Sequence, residues 1–128
     1  MARRVGLFLA FFFLLAGPAS AVEPLSQQHK VELQVALMEY IDANSIDGKF
    51  VHFDARTQQL VKLFPANLHP MIVPTSSIYF LCADFRDAKG YKVDVDFIAT
   101  DGEDGFLVFQ AMVNQRHIVR QMMKSKGV

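Results

Sequence analysis

Hydrophobic residues are spaced in three ways along this chain, and each spacing predicts a different element. From Val5 to Ala16 they form an apolar run. From Gln27 to about Ala43 they recur at the helical period. Val31, Val35 and Met38 share one side, while Leu33, Leu37, Tyr40 and Ile41 widen the apolar arc and Glu32 with Glu39 marks the polar ridge. Ser26 stands where an N-cap belongs, and Asn44-Ser45-Ile46-Asp47-Gly48 supplies the stop. An arc this wide predicts a helix cradled by a curved sheet.

Beyond the stop, the spacing shortens to two, the period of strands. Lys49 to Ala55 places Phe50, His52 and Asp54 on one face and Val51, Phe53 and Ala55 on the other. Turn residues Asp54 to Gln58 lead into a hairpin partner from Gln59 to Phe64. Pro65, Pro70 and Pro74 then punctuate Pro65 to Ser77, which is expected to be an irregular connection and not a regular central strand. Ile78 to Arg86 is apolar on both faces, as a central strand should be. After the turn Asp87 to Gly90, the alternation from Tyr91 to Ala99 predicts one buried face (Tyr91, Val93, Val95, Phe97) and one solvated face (Lys92, Asp94, Asp96). Thr100 to Gly105 is an acidic turn, Phe106 to Val113 another strand, and Asn114 to Lys126 a short terminal helix.

Strands joined by short turns imply antiparallel pairing between neighbours. The expected fold class is therefore α+β: one N-terminal helix packed on a curved antiparallel meander of about five strands, with a short C-terminal helix. Helix followed by meander resembles the cystatin-like architecture. Within it, Phe50 to Val61 is similar to the strand–turn–strand signature of PepSY-type modules, with Gln58 standing where those modules carry a glycine. The resemblance implies a small non-catalytic module that binds or restrains other proteins outside the cytoplasm. The apolar cover of Ile78 to Arg86 on two faces also calls for the terminal segment or a second subunit, so a homodimer is one expectation.

The first apolar run changes the expected size and address of the folded part. Arg3 and Arg4 precede it, Gly17 and Pro18 end it, and Ala19-Ser20-Ala21 has small residues at the positions a signal peptidase reads. About a dozen residues is short of the roughly 20 that cross a membrane as a helix. The expectation is a signal peptide over residues 1–21, cleaved after Ala21. A single small α+β domain over residues 22–128 would then lie in a periplasm or outside the cell, with no stable membrane anchor after cleavage. Removing Arg3 and Arg4 from 13 basic residues leaves 11 against 13 acidic ones. That balance gives no footprint for nucleic acid.

Candidate chemistry is sparse. Cys82 is the only cysteine, so an internal disulfide is impossible, and its apolar neighbours predict a buried thiol. Nucleophilic catalysis would need a stabilised thiolate, which an apolar strand opposes. His69 with Met71 is the nearest thing to a local metal-ligand pair, and His52 and His117 are further donors; imidazole with thioether suits copper. No ligand spacing is diagnostic. Asp101, Glu103 and Asp104 are too closely spaced for a calcium loop of the EF-hand kind. Arg116, Arg120 and Lys124 form a basic stripe, for either an anionic surface or the C-terminal end of a capping helix. No catalytic set is recognised. The expected role is contact with a partner protein or small ligand, with copper handling as the alternative from another class and an enzyme of undefined chemistry as a third.

Overall fold

The structure, a computed structural model, describes Gly17 and residues 22–127. The expected signal peptide and its cleavage site after Ala21 lie outside the described residues, Gly17 excepted. Among those residues no helix is long and apolar enough to cross a membrane.

Helix α1 runs Gln27–Ala43. The Ser26 side chain accepts the His29 backbone N–H at 3.1 Å, satisfying one of the free donors at the helix start. At the other end, the Asn44 amide donates to the Tyr40 carbonyl at 2.8 Å and the Ser45 hydroxyl to the Ile41 carbonyl at 2.6 Å. These side chains share the Tyr40 and Ile41 carbonyls with the Asn44 backbone N–H and so cap the end of the helix.

Six strands follow: β1 (Ser45–Ile46), β2 (Lys49–Asp54), β3 (Gln59–Pro74), β4 (Tyr79–Arg86), β5 (Lys92–Gly102) and β6 (Gly105–Val113). All pair antiparallel with their sequence neighbours, in the order β1-β2-β3-β4-β5-β6. Helix α2 (Arg116–Ser125) closes the chain. The α+β class, the leading helix, the meander and the terminal helix are as the pattern predicts. The sheet has six strands because the short β1 sits inside the helix stop.

The proline-rich segment corrects an expectation. It is not an irregular connection but the second half of β3. Gln59 to Leu63 pairs with β2, whereas Phe64 to Pro74 pairs with β4 alone. Pro65, Pro70 and Pro74 thus lie where the strand pairs on one side only, and a missing N–H is tolerated there. Register shifts occur between Pro65 and Asn67 and between Leu68 and Ile72. In the second, His69, Pro70 and Met71 bulge out opposite Cys82.

Helix α1 covers one face. Leu33 and Leu37 are almost fully buried, with Ile41 close behind, against Phe50, Leu81, Phe85, Val95 and Phe97. The Phe50 ring lies 5.3 Å from Phe85 and 5.9 Å from Phe97, the latter edge to face. Burying each such leucine contributes about 1.5–3 kcal/mol. The expected helix orientation needs adjustment. Val31, Val35 and Met38 are about half exposed, because a helix presents only part of its circumference to a sheet and the Leu33–Leu37–Ile41 line occupies it.

The opposite face has its own smaller core. Phe80, Ile98 and Met112 are covered by Val119 of α2, with Ile118, Met122 and Met123 around them. The terminal segment therefore supplies the second cover that β4 required.

Candidate functional site

The most concentrated chemistry lies on the sheet face beneath α2, beside this smaller core. Strand register places Cys82 opposite Asp96 and Asp84 opposite Asp94 on adjacent strands. Alternation then directs these four side chains to the α2 side, while Ala83, Phe85, Val93, Val95 and Phe97 turn toward α1.

Asp96 is completely buried, which corrects the expectation of a solvated face at this position; Lys92 is exposed and Asp94 partly so. Its Oδ2 accepts from Arg116 Nε at 2.7 Å, and its Oδ1 accepts from the Cys82 thiol at 3.0 Å. A buried carboxylate persists only when paired in this way. The strand alternates as its sequence predicts, but α2 folds back over its polar side. Asn114 makes the reversal possible: it adopts φ 53°, a left-handed conformation that Asn tolerates, and its N–H bonds the Asp94 carbonyl at 2.9 Å.

Arg116 opens α2, where a positive charge opposes the helix dipole and Gln115 provides no side-chain cap. The bond to Asp96 offsets that conflict, so an ion pair fixes the start of this helix. Only Arg116 of the predicted basic stripe is used inward; Arg120 and Lys124 are exposed, with Lys124 in the last turn, where the dipole favours it.

The network continues across the strands. Asp84 Oδ2 accepts from His69 Nε2 at 3.0 Å, and Lys92 Nζ lies 3.3 Å from Asp84 Oδ1 and 3.5 Å from Asp94 Oδ1. The His69 hydrogen bond, followed by Lys92, holds the Asp84 carboxyl below the usual carboxylate range. Arg116 Nη2 approaches Asp94 Oδ1 at 3.9 Å. Asp84 Oδ1, Asp94 Oδ1 and Arg116 Nη2 are buried with no hydrogen bond of good geometry among the described residues, so this end is held by charge more than by directed bonds.

Burial, and then the Asp96 carboxylate, push the Cys82 thiol up to about 12. It is a hydrogen-bond donor at neutral pH and not a nucleophile. Burial of the thiol is as its apolar neighbours predict, and the carboxylate beside it is Asp96, across the ladder on β5. The signal that would have found it is register, since pairing Ile78–Arg86 with Tyr91–Ala99 through the short turn brings the acids alongside the cysteine.

The proposed metal donors are dispersed. The β3 bulge puts His69 on Asp84, with Met71 beside it and largely exposed. His52 shares the α1 side of β2 with Phe50, and burial holds it below its ordinary pKa. His117 is exposed on α2. The sheet separates His52 from His69. Among the described residues no three His, Cys, Asp or Glu side chains cluster in a metal-binding arrangement.

The same sheet face has a second, open half. Over β1, β2 and the start of β3, the outward side chains are Ile46, Lys49, Val51, Phe53, Leu60, Lys62 and Phe64, continued by Arg86 opposite Phe64. Phe53 and Leu60 are cross-strand partners, 60% and 59% exposed, and Ile46 is similarly bare. Lys49 Nζ stands 5.5 Å over the Phe64 ring, a cation–π contact. Every charge on this patch is positive.

Comparison with family models, curated proteins and solved structures found no match to this chain.

Proposed function

We propose that the chain is an exported, non-catalytic binding module that contacts a partner protein through the open half of its sheet. One observation carries this reading. Phe53 and Leu60 sit side by side on paired strands, well exposed, next to Phe64 and a set of lysine and arginine side chains. Strand positions normally turn such residues toward a core, and α2 covers only the other half of this face. Contiguous apolar surface rimmed by polar groups marks interaction sites. The polar network beneath α2 serves the module by fixing that helix, which keeps the β4–β6 half closed and leaves the hairpin half for contact. Export rests on the charged, apolar and small-residue segments of residues 1–21.

The test is a Phe53→Asp, Leu60→Asp variant. Both side chains are well exposed, so no core packing is lost, but two aspartates facing each other on paired strands repel, and the expected loss of stability is about 1–2 kcal/mol in all. The wild-type chain is expected to retain a protein partner after crosslinking and purification, and the variant to lose it while keeping its circular dichroism. Retention of the same partner by the folded variant would overturn the assignment.

A further inference from the structure

We propose that the partner of the open face is a second copy of this chain: the β2–β3 hairpin of one copy seats in the acidic recess beside α1 of another. The proposal rests on the reading of the chain as a contact module and names its partner. The formal charge of the sequence is zero, yet the charges are sorted in space. The hairpin patch pairs Phe53, Leu60 and Phe64 with Lys49, Lys62 and Arg86 and carries no acid among its outward side chains. A recess of about 400 Å³ lies between α1 and the β5–β6 turn, where Val31, Val35 and Phe106 form the apolar part and Glu32, Glu39 and Asp104 the rim. Among the described residues no lysine or arginine lines it.

Each surface is thus half of a contact that the other completes: apolar against apolar, positive against negative. The half-exposed stripe of α1, which the sheet does not use, gains a partner in the same step. An anionic bilayer would satisfy the hairpin patch alone and leave the recess unexplained, so the second copy is the more complete occupant. Around a twofold axis each copy gives its hairpin and its recess at once, closing a dimer; without closure the contact propagates.

The experiment is sedimentation velocity on the chain as purified from the cells that export it, over a concentration series at low and high salt, with two charge-reversed variants. One carries Lys62→Glu and Arg86→Glu, the other Glu32→Lys and Glu39→Lys. Wild type is expected to exceed the mass of one chain as concentration rises and to return toward it in high salt. Each variant alone brings like charges together and should associate on the order of a hundredfold more weakly. An equal mixture of the two restores opposite charges and should restore association, which a merely unfolded variant cannot do. A wild type that stays monomeric at the highest concentration, or one whose association neither variant weakens, overturns the proposal. So does failure of the mixture to associate when both variants retain their circular dichroism. Flotation with phosphatidylglycerol vesicles runs alongside: a monomeric wild type that floats, with Lys62→Glu, Arg86→Glu failing to float, assigns the patch to lipid instead. If wild type is monomeric while Phe53→Asp, Leu60→Asp still loses a different protein, this inference fails and the contact-module reading stands.

Discussion

Removing Arg116 should strongly destabilise the α2 side of the sheet. Asp96 is fully buried, and its two hydrogen bonds come from Arg116 and Cys82. In Arg116→Ala, the carboxylate keeps only the thiol, a weak donor, and no cation at bonding distance. Breaking a buried pair from one side costs about 3–5 kcal/mol. Arg116 retains some exposure, so water can replace part of its role, and the lower end, about 3 kcal/mol, is the expected loss. Set against a typical stability of about 5–15 kcal/mol, that is a large fraction. Urea unfolding followed by circular dichroism gives the value, provided the denaturant slope is unchanged. Amide exchange should show α2 opening first. The Asp96→Leu, Arg116→Met pair removes both charges together and should lose much less than Arg116→Ala. A loss under about 0.5 kcal/mol for Arg116→Ala, the range of ordinary surface changes, would refute the argument that this ion pair fixes α2.

Cys82, with its thiol pushed to about 12 from an ordinary 9.0, holds about a thousandfold less thiolate than a free cysteine. Iodoacetamide labelling at neutral pH should therefore be slow in the folded chain and fast in denaturant; rapid labelling of the folded chain would contradict it. Asp84 contributes stability through its depressed pKa. That contribution is present above the unfolded carboxylate range near pH 4 and disappears as pH falls through the lower folded value. Asp84→Asn should thus flatten the acid limb of a stability-versus-pH curve, and an unchanged limb would show that the His69 contact has no such effect. In the main core, Leu37→Ala should cost about 2–5 kcal/mol by thermal or urea unfolding, since Leu37 is buried between α1 and the sheet.

The elements that follow simple periodicity were legible: α1 from its cap and apolar spacing, the β2–β3 hairpin, and the clean alternation of β5. What periodicity could not reveal is what covers each face. Asp96 looks solvent-facing by alternation, and only the return of α2 through Asn114 buries it. The prolines of β3 argue against a strand taken alone, but the strand pairs on one side there and bulges at His69 to Met71. The seven apolar positions of α1 gave no way to choose which line meets the sheet. The open hairpin face is hidden for the same reason: alternation separates Val51 and Phe53 from Phe50 and His52 but does not say which side is covered, because burial is a property of the whole fold.

The claim that contact occurs at the open half of the sheet is tested most directly by site-specific photocrosslinking in the cells that make the protein. A photoreactive residue is placed in turn at Phe53, at Leu60 and, as controls on other surfaces, at Lys89 and Lys124. A discrete higher-mass adduct is expected from Phe53 and Leu60 and none from the two controls. Adducts from Lys89 or Lys124 while Phe53 and Leu60 give none would contradict it.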